Sequence, residues 1–218
     1  MSDPDALATR FRRLYTGAVA DVLDAQGFRH QVLPAAITPL RLDVKLAGPA
    51  FPGRGEPTGD VKHDDTPSRI AMLESVTPGS VSVWACGGHD GSAHWGEIMS
   101  VSVMERGCVG AVIDGGLRDT AFLLELDFPV FSRFRSSASS IGRWDILDWD
   151  CDVLIGETTV HPGDWIFGDA DGVVVIPLDV VADVIAVSEE KARTEADMRR
   201  ELAEGARPSD VFRKLGSF

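Results

Sequence analysis

The chain has 218 residues, 44% hydrophobic and 25% charged, with 22 glycines and 12 prolines. That is enough to close one domain, residues 1–218, around its own core without disulfides or structural metals. Lysine and arginine number 21 against 34 acidic residues, a formal charge of −13, and no basic run exceeds pairs such as Arg12-Arg13 and Arg199-Arg200. This excludes a nucleic-acid or anionic-membrane surface as partner and leaves a small molecule, for which scarce cations must converge on one site.

Leu7, Phe11, Leu14, Val19, Val22 and Leu23 predict an amphipathic helix over residues 5–26, stopped by Gly27. Residues 33–58 are strand and loop material punctuated by five prolines, and Pro67 opens a short helix over 68–75. Val81–Cys86 reads as a buried strand, Gly87–Ser92 as a glycine-rich turn, and the stretch from Ile98 to Met104 as a helix. Val109–Ile113 is a second buried strand that runs into a turn at 114–119, followed by a helix over 120–126 and a strand at 129–132. Strand, turn and helix alternating in this way indicate parallel βαβ units. Short strands follow at 153–155, 158–160, 164–167 and 173–176, then a long charged helix over about 178–205 and a polar tail. The fold class is α/β with a C-terminal helical arm. Cys86, Cys108 and Cys151 are odd in number and lack a CxxC pair, so free thiols are expected. The N-terminus lacks the basic and apolar regions of a secretory signal and no apolar run is long enough to span a bilayer; a cytoplasmic protein is expected.

The two turns at 87–97 and 114–119 follow strands at their carboxyl ends, where ligands bind in open α/β sheets. If the strands are neighbours, the turns face one crevice. Arg118 suits a bidentate carboxylate clamp or a surface ion pair; Asp119 suits a hard divalent cation or a helix N-cap. Glu97 suits either orienting water across the crevice or a solvated first helical turn. His89 and His94 lack the companions of a zinc site, and His94 reads as packed at a helix start. No serine-hydrolase elbow, P-loop or dinucleotide fingerprint occurs. None of the four lysines lies between Val81 and Gly172, so enolate chemistry in the crevice would need a metal rather than a Schiff base as electron sink.

Gly96-Glu97, twenty residues, then Arg118-Asp119 resembles the motif of the RraA-like family, which includes class II 4-hydroxy-4-methyl-2-oxoglutarate and 4-carboxy-4-hydroxy-2-oxoadipate aldolases. The runs Val109–Asp119 and Pro162–Pro177 are similar to its core, and Ala20-Asp21 and Gly59-Asp60 resemble landmarks nearer the N-terminus. The resemblance implies an α/β/β sandwich like the swivelling phosphohistidine domain, assembled as homotrimers or homohexamers with shared active sites. It also implies Mg²⁺ or Mn²⁺ bound directly by Asp119, and through water by Glu97 and by Glu195 of a neighbouring copy. Arg118 would bind the pyruvyl group, and backbone N–H groups at Gly96, Ile98 and Met99 would cradle its carboxylate.

The implied activity is metal-dependent cleavage of a 4-hydroxy-2-oxo acid to pyruvate and a carbonyl product, with oxaloacetate decarboxylation by the same enolate chemistry. The alternatives are a lyase or hydro-lyase on a sugar-derived 2-keto-3-deoxy acid, and a non-catalytic regulator of a ribonuclease. The regulator branch usually carries an acid where this chain has Phe122, and tends to have glycine where it has Glu97. Arg133, Arg135 and Arg143 either read a distal anionic group of the substrate or are surface charges.

Overall fold

Alternation along the buried strands decides which layers form. In β3 (Val81–Ala85), Val81, Val83 and Ala85 point to one side, and Trp84, with Cys86 just beyond, to the other. The computed structural model describes residues 4–60 and 65–216. Its parallel centre runs β2 (Leu46–Pro57), β3, β5 (Gly110–Leu117), β6 (Val130–Arg135). Antiparallel β1 (Thr38–Pro39) extends one edge, and β10 (Trp165–Asp169) and β11 (Gly172–Ile176) the other. β1 and β11 approach each other, so the sheet is nearly closed on itself around Val83, Val112, Phe131, Ile166 and Val175. A small β8–β9 hairpin (Val153–Ile155 and Thr158–Val160) stands apart.

Helices cover the outside in two groups. α3 (Thr66–Ser75), α4 (Glu97–Met104) and α5 (Thr120–Leu123) lie over a layer holding Trp84, Trp95, Trp144, Ile113 and Leu117. α1 (Pro4–Phe11), α2 (Thr16–Ala25) and α6 (Val181–Ala203) bury Phe11, Leu23, Val184 and Ile185 against Trp165 and Phe167.

Four features differ from, or add to, what the sequence predicts. The helix over 5–26 is two helices: Tyr15 is extended, and the buried Asp169 carboxylate accepts the Thr16 N–H (2.8 Å) and hydroxyl (2.7 Å), starting α2 afresh. This cap comes from a residue 153 positions away, so no local pattern shows it. Second, Asp114-Gly115-Gly116 is strand, not turn. A Cβ on Gly115 would lie 2.4 Å from His94 Nδ1, and one on Gly116 would lie 2.5 Å from the Ser92 carbonyl oxygen. The two glycines thus admit an extra strand, β4 (Ala93–Trp95), beside the end of β5. Third, Trp144–Trp149 forms β7 against the second half of β2. Fourth, the polar tail folds as α7 (Pro208–Leu215), which buries Val211 and pairs Lys214 with Glu201 of α6 at 2.7 Å.

The cysteines are free, Cys86 and Cys108 buried and Cys151 half-buried, and burial pushes the Cys86 thiol well above its ordinary range. Among the described residues no helix is long and apolar enough to cross a membrane.

Candidate active site

β3 and β5 are parallel neighbours, so the segments leaving their carboxyl ends share one crevice. From β3 the chain turns through Gly87 and Gly88 (φ +60° and +73°), returns along β4, and enters α4 at Gly96. From β5 it passes Arg118, whose N–H donates to the Trp95 carbonyl at 3.1 Å, and reaches Asp119 at φ +61°, ψ +31°. A left-handed conformation is uncommon outside glycine, though aspartate tolerates it better than most. Here it tightens the strand-to-helix corner and turns the carboxylate away from its own helix: Asp119 occupies the N-cap position of α5 but makes no side-chain capping bond there. Instead Oδ2 accepts the Glu97 N–H across the crevice at 3.3 Å, with Arg118 Nε 3.5 Å away.

The start of α4 is pinned from below. Trp95 Nε1 donates to Ser100 Oγ (2.8 Å), which donates to the Gly96 carbonyl (3.1 Å). Gly96 itself is extended at φ −165°, so its backbone does not demand glycine. Space does: a Cβ there would fall 2.5 Å from Asp119 Oδ2 and 3.2 Å from Arg118 Cγ. With Ser100 N–H closing the first helical bond to Gly96, the N–H groups of Ile98 and Met99 have no intrahelical acceptor and, with the positive end of the helix dipole, favour an anion.

Gly96, Ile98, Met99, Arg118 and Asp119 line one cavity of about 290 Å³, closed by Thr66, Arg69, Ile70 and Leu73 of α3 and by Ser139, Ser140 and Ile141. Arg118 and Asp119 also border a second depression of about 370 Å³ with Arg135 and Ser136. Five of the expected site residues therefore meet. The Glu97 side chain is half-buried beside the cavity without lining it, and its backbone N–H supplies the contact to Asp119. Glu195 does not line the cavity of its own chain; Tyr15 donates to it, and Lys191 (3.4 Å) and Arg199 (3.5 Å) pair with it. Arg143 is exposed and donates to the Ser139 carbonyl at 3.0 Å, while Arg133 turns inward to ion-pair with buried Asp114. Burial nevertheless raises the Asp114 carboxyl above its usual range, against the pull of Arg133.

His94 is buried against Trp144, and its Nδ1 accepts the Gly116 N–H at 3.0 Å. The remaining ring proton is thereby on Nε2, which donates to His89 Nδ1 at 2.9 Å. Burial, with His89 and Arg69 nearby, lowers the His94 pKa to about 4, so the imidazole is neutral and structural at neutral pH.

Among the described residues, no three His, Cys, Asp or Glu side chains cluster as a ready metal cage. The donor set suits instead a hard cation that keeps much of its water and takes one or two carboxylates. The Asp119 carboxylate is about one-third exposed, and only Oδ2 is engaged by described neighbours.

The residues that sequence reasoning missed are on α3. Arg69 carries no motif; what brings it to the site is the packing of α3 beside α4. The nearest sequence signal is Asp65, four residues earlier and one turn of helix away.

A family model described as RraA-like, Aldolase/RraA, matches residues 16–175. A Halalkalibacterium halodurans protein named "Putative 4-hydroxy-4-methyl-2-oxoglutarate aldolase" is 29% identical over 90% of this chain and 88% of its own length. Protein DlpA of Legionella pneumophila is 28% identical over 86% of this chain, but the match spans only 30% of DlpA. Among solved structures, Streptomyces coelicolor RraAS2, described as an unusual member of the RNase ES inhibitor RraA protein family, superposes with a TM-score of 0.83 at 25% identity, covering 92% of this chain and 100% of that one.

Proposed function

The chain belongs to the RraA-like family, and within it we propose a divalent-metal-dependent lyase that cleaves a 4-hydroxy-2-oxo acid to pyruvate and a carbonyl product and also decarboxylates oxaloacetate. The observation that carries this reading is the left-handed Asp119, whose carboxylate is turned off its own helix and onto the start of α4, beside Arg118. Mg²⁺ or Mn²⁺ held there by Asp119 would supply Lewis acidity at the 2-oxo group.

The chain's own residues do the rest. The N–H groups of Ile98 and Met99 take the substrate carboxylate at the helix start. Arg118 donates to the 2-oxo oxygen, where negative charge accumulates as the bond to C4 breaks, and so stabilises the transition state more than the ground state. Solvent ordered by Glu97 at the edge of the crevice takes the 4-hydroxyl proton as the C3–C4 bond breaks and returns one to C3; for oxaloacetate, which loses carbon dioxide, only the second transfer is needed. A Schiff-base route has no support among the described lysines: Lys45 donates to the Leu14 carbonyl, Lys191 pairs with Asp21 and Glu195, and Lys214 with Glu201. Lys62 lies outside the described residues. Glu195 enters this reading only in a homotrimer or homohexamer, where a neighbouring copy would bring it to the site.

Pyruvate release from 4-hydroxy-4-methyl-2-oxoglutarate and from oxaloacetate, followed with Mg²⁺ or Mn²⁺ and then with excess EDTA, tests the proposal. Turnover is expected with metal and not with EDTA, and Asp119→Asn should lower it at least about 100-fold, the scale of losing one preorganised electrostatic partner. Full activity in that variant, or metal-independent turnover, refutes it. A dehydration product without pyruvate would favour the sugar-acid lyase.

A further inference from the structure

We propose that Arg69 is the specificity-determining residue of the cavity, reading a second carboxylate at the far end of the 2-oxo acid; this rests on the proposed function and deepens it. Arg69 projects from α3 into the cavity that Arg118 and Asp119 enter from the other side. It is held rigidly: Nη2 donates to both oxygens of Asp65 (3.0 and 2.8 Å) and lies 3.2 Å from Ser140 Oγ. Asp65 is itself only 2% exposed and accepts the Ile146 N–H at 3.2 Å, which ties α3 to β7.

One side of the guanidinium is therefore spent, and the other is not. Nη1 reaches only the Met99 sulfur at 3.7 Å, a weak acceptor, and Nε has no oxygen partner among the described residues. Yet the side chain is only 13% exposed. A guanidinium offers five N–H donors in a fixed fork, so the edge not taken by Asp65 and Ser140 still presents donors to the cavity. The contact with Met99 places Arg69 beside the first turn of α4, so the carboxylate proposed to sit on that turn and the free edge of Arg69 belong to one cavity. A carboxylate is the acceptor whose shape and charge suit the free edge of the fork.

The alternative is a purely structural Arg69 that latches α3 to Ser140. The two differ in what they do to matched ligands. Calorimetric titration with 2-oxoglutarate and with 2-oxopentanoate, both in Mg²⁺, compares equal carbon chains with and without the second carboxylate and needs no turnover. The wild-type protein should bind the diacid roughly 10- to 100-fold more tightly, the scale of one charge-assisted hydrogen-bonded pair. Arg69→Met should bring the two affinities within about threefold, with Arg69→Lys between. Where Arg69→Met alone leaves buried Asp65 uncompensated and does not fold, Asp65→Asn/Arg69→Met makes the same comparison. Equal wild-type affinities, or a variant that weakens both ligands equally, overturns the assignment. Preserved discrimination in a protein that never releases pyruvate would instead refute the lyase reading and leave Arg69 as the reader of a diacid.

Discussion

Gly96→Ala isolates the site from the fold. Its φ of −165° is open to alanine, so no backbone strain is added. The whole perturbation is the new methyl group, 2.5 Å from Asp119 Oδ2 and 3.2 Å from Arg118 Cγ. Ordinary carbon contacts settle near 3.5 Å, so the carboxylate must withdraw by about 1 Å. Because the Asp119 side chain is 35% exposed, it can do so by swinging towards solvent. The expected stability cost is therefore under about 1 kcal/mol, a melting shift of no more than roughly 4 °C for a chain of this size. The chemistry should not be spared. A 1 Å misplacement of a positioned group costs on the order of 100-fold in rate. Pyruvate release, its Mg²⁺ dependence and thermal melting should be measured together on wild type and variant. Wild-type turnover with unchanged Mg²⁺ dependence would show that the close approach of Gly96 to Asp119 is incidental. A melting drop far beyond 4 °C would show that Gly96 serves the fold.

Two further predictions concern the layer behind the site. The His94 pKa falls from 6.5 to about 4 on folding, so between those values the unfolded chain binds more protons and stability rises with pH; the contribution, roughly 3 kcal/mol, is complete above pH 6.5 and lost as pH drops towards 4. In His94→Gln, denaturant unfolding across that window should show a pH slope shallower by up to one proton, and an unchanged slope would contradict the neutral, Gly116-bonded imidazole. Arg133→Met leaves the Asp114 carboxylate buried without its partner, and should cost about 3–5 kcal/mol and lower the melting temperature by roughly 6–20 °C. Asp114→Asn/Arg133→Met should recover most of that loss, and a single-variant cost below about 1 kcal/mol would refute the pairing.

What could be read from the sequence is what depends on local pattern. The short apolar runs Val81–Cys86 and Val109–Ile113 mark two buried strands, which the fold makes parallel neighbours, and the resemblance carried by Gly96-Glu97 and Arg118-Asp119 points to the corners that meet. What stayed hidden depends on distant partners. The break at Tyr15 is made by Asp169; the straight passage of β5 through Gly115 and Gly116 is made by β4; the inward turn of Arg133 is made by Asp114. Arg133 and Arg135 stand two apart on β6, so alternation puts them on one face, and only their neighbours separate them: Arg133 pairs with Asp114, while Arg135 borders the second depression. Arg69 was hidden for the same reason, since its place is set by α3 packing on α4 and by a single buried aspartate.

Asp119 bears on the choice between a lyase and a binding surface. At φ +61° a glycine would be easier on the backbone, by about 1 kcal/mol, and a residue that merely capped α5 would direct its oxygen to that helix. Asp119 does neither. It accepts the awkward conformation, gives up its own cap, and crowds a glycine on the opposite wall to within 2.5 Å of where a Cβ would be. A protein that only presents an outer face to a partner gains nothing from that arrangement, because its effect is confined to the interior of the crevice. An aspartate held beside an arginine and the free N–H groups of a helix start is the arrangement that the proposed lyase requires for a small anionic substrate. Strain kept at such a point is therefore evidence for chemistry there.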